Sequence, residues 1–176
     1  LNLPAWAAAA LVNNAAVERI EEDQVATAFA SATVESWGQN RVDQCALPLD
    51  GTTFDRMDAS SVRVFILDTG IYGGHSDFTN LIGPSDCHKS YYTRKTYSPP
   101  TDGNGHGTHV ASTVCGQKYG VVTCKELCAV KVLSDSGSGS YSDIIAGIDF
   151  VAANCAAAGL KCVANMSLGG GRYDSV

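Results

Sequence analysis

Two short segments of the chain carry side chains that together can move a proton. Asp68 directly follows the largely apolar run 62–67, and His106 stands between two glycines where a helix is predicted to begin. A carboxylate at a strand end can accept the Nδ1 proton of an imidazole, fix its tautomer and stabilise the protonated ring. The same imidazole can then serve as a general base. We therefore predict that Asp68 and His106 form a catalytic pair.

The same residue types also permit other chemistry. An apolar run followed by Asp68-Thr69-Gly70 is the signature of aspartic proteases, in which two carboxylates share one proton. That mechanism needs a second Asp-Thr-Gly from another lobe or subunit. This sequence contains a single copy, at residues 68–70. His106 and His109 could share a helix face as zinc ligands, but a zincin helix places His at i and i+4 with a Glu between. We expect His109 to be a buried scaffold residue, and His75 and His88 to lie in surface loops.

The elements that must position Asp68 and His106 follow an alternating pattern. Residues 62–67 form a near-continuous apolar run, which is typical of a central parallel strand covered on both faces. Residues 128–133 and 162–168 are predicted strands, and helices are predicted at His106 and after an N-cap at Ser142. Strands that alternate with helices predict an α/β fold, a mainly parallel sheet with helices on both faces.

Two Gly- and Ser-rich segments lie beside the predicted strands. Residues 136–140 have the composition of a flexible linker. They lie between a core strand and a core helix, however, where an extended segment can bind a peptide by strand addition. Residues 167–171 are a simple turn or the opposite wall of the same cleft.

Composition limits the classes of partner. The 176 residues are 45% hydrophobic and 17% charged, enough for one domain with a real core. The formal net charge of −6 argues against nucleic acid and against an anionic membrane surface. No apolar run approaches the roughly 20 residues that cross a bilayer.

The sequence contains seven cysteines, which is many for a domain of this size. Cys124 and Cys128 have a spacing seen in metal sites, but no matching second pair completes one. Disulfides in an exported protein are the favoured interpretation. The odd number leaves one thiol free or paired outside the sequence, and the pairing stays open.

Taken together, these segments resemble the subtilisin superfamily, most closely its proteinase K-like branch. The resemblance runs from about residue 37 to residue 176 and rests on specific motifs in a fixed order. The motifs are Ile66-Leu67-Asp68-Thr69-Gly70-Ile71, the segment 102–111 around Asn104-Gly105-His106-Gly107-Thr108-His109, Val130-Lys131-Val132-Leu133 with Gly137-Ser138-Gly139, the predicted helix 141–152, and Asn165-Met166-Ser167-Leu168-Gly169-Gly170.

This resemblance implies a serine endopeptidase and a role for each motif. Asp68 would orient His106, which would be the general base, and two segments would clasp an extended protein or peptide substrate from both sides. The chemistry would require no cofactor, and structural calcium is conceivable but cannot be mapped onto the sequence. The residues expected to line the substrate cleft are Asn104, Gly137, Ser138, Gly139, Ser167, Leu168 and Gly169.

The resemblance also implies an organisation of the chain. Residues 1–29 would be the C-terminal end of an inhibitory propeptide, with a final strand over 17–23, and residues 30–176 the N-terminal part of the peptidase domain. The nucleophile motif Gly-Thr-Ser and the oxyanion Asn are not recognisable before Val176. We therefore expect an incomplete secreted zymogen, nearly inactive by itself. A non-catalytic homologue that binds extended peptides is the alternative.

Overall fold

The computed structural model describes residues 5–11, 14, 31–33, 35–51, 53–92 and 101–170. The helices are α1 (Ala5–Leu11), α2 (Trp37–Val42), α3 (His106–Cys115) and α4 (Tyr141–Ala158), and two 3₁₀ turns span Ser76–Phe78 and Ser85–Cys87. The strands are β1 (Ser31–Thr33), β2 (Thr53–Asp55), β3 (Met57–Asp68), β4 (Lys89–Ser90), β5 (Val122–Lys131) and β6 (Lys161–Asn165).

Four of these strands form one parallel sheet in the order β4–β5–β3–β6. Strand β3 lies inside the sheet, and successive side chains point to opposite faces. Val64 and Ile66 pack on the same side as Ala111 of α3, whereas Phe65 packs on the other side with Ile144 of α4. Both faces of the strand are therefore buried. The predicted α/β fold, with helices on both faces of a parallel sheet, is confirmed.

The boundaries of two strands differ from the prediction. Strand β5 begins at Val122, six residues earlier than the apolar run suggested, because its first half pairs with the exposed start of β3 and alternates with polar residues. Strand β6 ends at Asn165, and the residues that follow line a cleft instead of continuing the ladder.

The N-cap of the long helix α4 lies two residues before the predicted cap. Its N-cap is Ser140 rather than Ser142, because the Ser140 hydroxyl accepts the backbone N–H of Asp143 at 3.1 Å. The helix ends at Ala158 and is followed by its C-cap, Gly159, which has φ of 61°.

Two disulfides link the helical layer to the sheet. Cys87–Cys128 joins the second 3₁₀ turn to β5, and Cys155–Cys162 joins α4 to β6. The remaining cysteines, Cys45, Cys115 and Cys124, are unbonded in this structure. The sequence led us to expect one spare thiol, and the structure shows three.

The N-terminal region is described only in part. Of residues 1–29 the structure describes α1 and Asn14. The predicted strand over 17–23 and the predicted domain boundary after residue 29 lie outside the described residues. The short strands β1 and β2 form a separate antiparallel pair.

The edge strand β6 leads to a prediction about the solubility of this polypeptide. Val163 on β6 is 51% exposed, and an uncovered apolar edge invites pairing with other chains. Residues 1–176 expressed alone should therefore aggregate, as measured by light scattering at neutral pH. Val163→Lys should slow this aggregation several-fold, because a charge at an edge opposes strand pairing.

The matched control is Val42→Lys, which places the same charge on an exposed position of α2 away from the edge. This variant should aggregate like the unmodified polypeptide. A monomeric wild-type polypeptide with a sharp, cooperative melt would contradict the prediction.

Candidate active site

Asp68 and His106 meet at the end of the central strand. Asp68 is the last residue of β3 and is fully buried, and His106 is the first residue of α3. The His106 Nδ1 lies 2.8 Å from Asp68 Oδ1 and 2.9 Å from Oδ2. The His106 side chain is 50% exposed. With Nδ1 donating to the carboxylate, Nε2 is the ring nitrogen that can meet a reacting group.

The backbone after β3 holds the Asp68 side chain in place. The Thr69 N–H donates to Asp68 Oδ1 at 2.7 Å. The Asp68 carbonyl oxygen accepts from the N–H groups of Val132 and Leu133, at 3.0 and 3.2 Å. Hydrogen bonds therefore hold both the side chain and the backbone carbonyl of Asp68, which leaves the carboxylate little freedom to rotate away from the imidazole.

Glycine at position 107 allows α3 to approach this strand end closely. A Cβ atom at Gly107 would collide with the carbonyl oxygen of Gly70 and lie 3.1 Å from Asp68 Cβ. Gly105, the N-cap, has φ of 102°, a conformation that side-chain-bearing residues rarely adopt. Glycine is thus required on each side of His106 for a different reason: Gly107 permits a close contact with the end of β3, and Gly105 permits the positive φ at the helix start.

Asp102 organises the segment that leads into α3. Its Oδ1 accepts from the Thr69 hydroxyl at 2.8 Å and from the N–H groups of Asn104 and Gly105 at 3.0 and 2.9 Å. Its Oδ2 accepts from the N–H and hydroxyl of Thr108 at 2.9 and 2.6 Å. Burial alone would raise the pKa of the Asp102 carboxyl, but the bonds from Gly105, Thr108 and Thr69 outweigh it and lower that pKa to about 2.

Sequence reasoning did not select Asp102 as a site residue. An acidic residue shortly before a helix, followed by residues able to donate backbone N–H groups, is a known signal of a helix start. Such a signal indicates a cap and not a link to a distant strand. The contact with Thr69 depends on how α3 packs against β3, which the local pattern does not contain.

The exposed face of His106 opens onto a cleft of about 450 Å³. Its walls include all seven residues that the sequence predicted for substrate binding, whereas Asp68 lies behind the imidazole and does not line it. Sequence reasoning missed several further lining residues, because helix and strand patterns assigned them to the core or to turns. The missed residues are Thr69, Leu133, Tyr141 and Ile144, whereas Gly170 lies within the segment 167–171 that was predicted as a possible wall.

One wall of this cleft is an ordered turn. The N–H of Ser134 donates to the carbonyl of Ser138 at 2.8 Å, and the N–H of Gly137 donates back to Ser134 at 3.0 Å. Gly137 has φ of 82°, and the Asn104 amide donates to the carbonyl of Asp135 at 2.9 Å. The linker-like composition of 136–140 therefore does not describe its structure, because hydrogen bonds fix the segment against the loop before α3.

Lys131 connects this turn to the strand end. The side chain is buried at the end of β5, and its ammonium group donates to the Thr69 carbonyl and, at 2.7 Å, to Asp135 Oδ1. The hydrogen bond and charge of Lys131 hold the pKa of Asp135 below its usual range.

Two of the other histidines differ from the prediction. His109 is exposed rather than buried, because Ala111 and Cys115 face the core from α3. His88 is buried instead of lying on the surface: Nδ1 accepts from the Ala129 N–H at 2.9 Å, and Nε2 lies 3.0 Å from the Gly83 carbonyl. Burial lowers the pKa of His88, which favours the neutral ring that this arrangement needs. His75 is exposed, as predicted.

The described residues offer no obvious metal centre. Within these ranges no three His, Cys, Asp or Glu side chains are grouped so that they could hold an ion.

None of the described helices is long and apolar enough to span a bilayer.

The low pKa of Asp102 predicts a pH-dependent contribution to stability. The carboxyl titrates near 3.8 when unfolded and at about 2 when folded, so its contribution is complete above about pH 4 and disappears as the pH falls through 2. Asp102→Asn in the full-length protein should lower the free energy of unfolding at pH 7 by about 1–3 kcal/mol. Urea unfolding at pH 7, 5 and 3 measures the difference from wild type, which should shrink towards pH 3.

Asp149→Asn is the control, since Asp149 is exposed on α4 and the substitution changes the charge equally. It should leave the free energy of unfolding within about 0.5 kcal/mol of wild type. An Asp102→Asn deficit that is equally large at pH 3 and pH 7 would contradict this account.

Known proteins are similar to this chain in sequence. Residues 59–176 match the model of the Subtilase family. An extracellular serine proteinase of Thermus sp. (strain Rt41A) is 43% identical over 155 residues, which are 88% of this chain and 36% of that protein. Proteinase R of Parengyodontium album is 37% identical over 165 residues, which are 91% of this chain and 40% of that protein.

Solved structures show the same likeness. A cold adapted subtilisin-like serine proteinase matches with a TM-score of 0.66 and 38% identity, covering 80% of this chain and 48% of that chain. Sphericase matches with a TM-score of 0.61 and 35% identity, covering 69% of this chain and 42% of that chain. The chain thus spans less than half the length of each of these relatives. The motifs, the fold and these matches agree: the chain belongs to the subtilase family.

Proposed function

We propose that the full-length protein is a secreted serine endopeptidase that cleaves extended segments of protein or peptide substrates. The observation that carries this proposal is the contact between a fully buried carboxylate and a half-exposed imidazole at the edge of a cleft. The relatives support it, since one is named an extracellular serine proteinase and another an alkaline serine exoprotease.

In the proposed reaction His106 takes up and then releases a proton in each of two steps, formation of the acyl-enzyme and its hydrolysis. A serine hydroxyl, not recognisable among residues 1–176, attacks the peptide carbonyl while His106 Nε2 takes its proton. The protonated imidazole then gives that proton to the leaving amine, and a water molecule releases the acyl group by the same route. Asp68 stays ionised throughout, holds Nδ1–H and stabilises the positive charge on the ring.

The cleft walls suit an extended substrate. Gly137, Ser138 and Gly139 line the cleft together with the segment 167–169, and both segments carry small side chains except for Leu168. We expect these two segments to hold the substrate from both sides. Small side chains let a substrate backbone approach closely, while Leu168 adds an apolar contact. Asn104 sits beside His106 and would shape the pocket next to the scissile bond.

The N-terminal region enters this proposal as an inhibitor. Residues 1–29 would be the end of a propeptide whose C-terminal tail occupies the cleft until it is removed. Support comes from the resemblance of residues 17–23 to the last strand of such propeptides, and the rest of the proposal does not depend on it.

The contact of Asp68 disfavours the aspartic protease alternative. That chemistry requires two carboxylates facing each other, whereas Asp68 faces the imidazole of His106. A non-catalytic homologue that binds peptides through the same cleft would keep its walls but not react with a serine-directed reagent.

Substitutions at the catalytic pair test the proposed reaction. In the mature full-length protein, His106→Ala should reduce kcat on a peptide substrate by about 10⁶-fold, because the general base is lost. Asp68→Asn should reduce it by about 10⁴-fold, because the amide favours the wrong tautomer of His106. Initial rates on a chromogenic peptide measure both effects.

His109→Ala is the matched control, because His109 is an exposed histidine on the same helix. It should keep kcat within about threefold of wild type. A wild-type protein that binds peptide yet neither hydrolyses it nor reacts with a fluorophosphonate would overturn the enzyme proposal in favour of the binding alternative. Loss of activity with a statine-type inhibitor would favour the aspartic alternative.

Gly169 offers a test of the proposed cleft. A Cβ atom there meets nothing within 4 Å, so a side chain fits the fold but projects into the cleft that Gly169 lines. Gly169→Leu should raise KM at least tenfold for substrates with a bulky residue at the cleavage site, and Gly169→Ala should have a smaller effect. Both variants should keep the wild-type Tm, and unchanged KM in the leucine variant would remove Gly169 from the binding wall.

A further inference from the structure

Two of the unbonded cysteines lie side by side in the core between α3 and the sheet. Cys115 is the last residue of α3 and is 1% exposed, and Cys124 on β5 is 7% exposed. Both belong to the same buried cluster. The S–H of Cys115 donates to the sulfur of Cys124, and this bond, together with burial, raises the pKa of Cys115. The same bond lowers the pKa of Cys124 against the opposing effect of burial. The two thiols are therefore hydrogen-bonded neighbours within one buried cluster.

The backbone around these cysteines is held by several hydrogen bonds. At the end of α3 the N–H of Gly116 donates to Ser112 at 2.8 Å, and the N–H of Val121 reaches back to Thr113 at 3.1 Å. Arg56 donates to the carbonyl of Gln117 at 2.7 Å. Both cysteines thus sit on fixed elements, so their contact does not depend on a mobile loop.

The pair joins the same kinds of element as the disulfides already present. Cys87–Cys128 and Cys155–Cys162 each link a helix or helical turn to a strand of the parallel sheet. A bond from Cys115 to Cys124 would do the same for α3 and β5. It would also reduce the three spare thiols to one, the exposed Cys45.

We propose that Cys115 and Cys124 form a third disulfide in the secreted protein, made while the domain folds. The two S–H bonds break and one S–S bond forms. Two electrons and two protons pass to the disulfide of an oxidising thiol–disulfide reagent, which is thereby reduced to two thiols. The exchange belongs to folding because attack requires an accessible thiolate, which burial of the finished core denies. This inference rests on the proposed export but not on the proposed proteolysis.

A peptide map of the secreted full-length protein tests the bond directly. The protein is denatured at pH 6.5 with N-ethylmaleimide and a serine protease inhibitor, without reductant, then desalted to remove both reagents and digested with trypsin. Cleavage after Lys95, Lys118 and Lys125 separates the two cysteines. Residues 96–118 and 119–125 should appear as one linked species, two hydrogens lighter than the two thiol peptides together. Maleimide on both peptides, or a link from either to Cys45, would overturn the proposal.

Two variants sharpen the result without relying on enzymatic activity. Cys115→Ala should free its partner, so that maleimide labelling of Cys124 rises from near zero to about one per chain. Cys45→Ser is the control, because Cys45 is exposed and lies outside the pair, and the linked peptides should persist. The peptide map of the wild-type protein tests the disulfide without any variant. The proposal can therefore be decided even if Cys115→Ala does not fold. The outcome is the same whether or not the protein hydrolyses peptides, so failure of this bond and failure of the proposed function are distinguishable.

Discussion

The rest of the site depends on placing a fully buried carboxylate, that of Asp68, against an imidazole that is half open to solvent. A buried charge is stable only when its oxygens are hydrogen-bonded. Asp68 obtains these bonds from the N–H of Thr69 and from Nδ1 of His106. The second donor must come from another element. The close packing of α3 on the end of β3, and the absence of a side chain at Gly107, are consequences of that requirement.

Two further charged side chains connect the loops around this pair. Asp102 binds the strand end through Thr69 and the start of α3 through Thr108. Lys131 binds Thr69 and the turn that forms one cleft wall. These hydrogen bonds hold the end of β3, the start of α3 and the turn 134–138 in fixed positions relative to one another. The cleft is therefore built on strand ends and a helix start, and its Gly- and Ser-rich wall is ordered by contacts with its neighbours.

The sequence predicted those parts whose signals are local. The apolar run before Asp68 identified the central strand, because a strand covered on both faces has little polar alternation. The first half of β5 was missed, because it is partly exposed and its residues carry no apolar run. His88 and His109 were assigned the wrong environments. Burial of a single histidine depends on which element packs over it, and nothing in the neighbouring residues encodes that.

By itself, the sequence determined the pairing of Asp68 with His106 and their chain order, the fold class and, through the resemblance to subtilisins, the segments that line the cleft. Residue types, spacing and periodicity are properties of the chain. Only the tertiary structure decided that Asp102 and Lys131 join these segments, and that Cys115 touches Cys124 while Cys87 bonds to Cys128. Those partners are distant along the chain, and their contacts arise when helices pack on both faces of one sheet. A pattern read along the sequence specifies each element, whereas the distance between two elements is set by the side chains that fill the space between them.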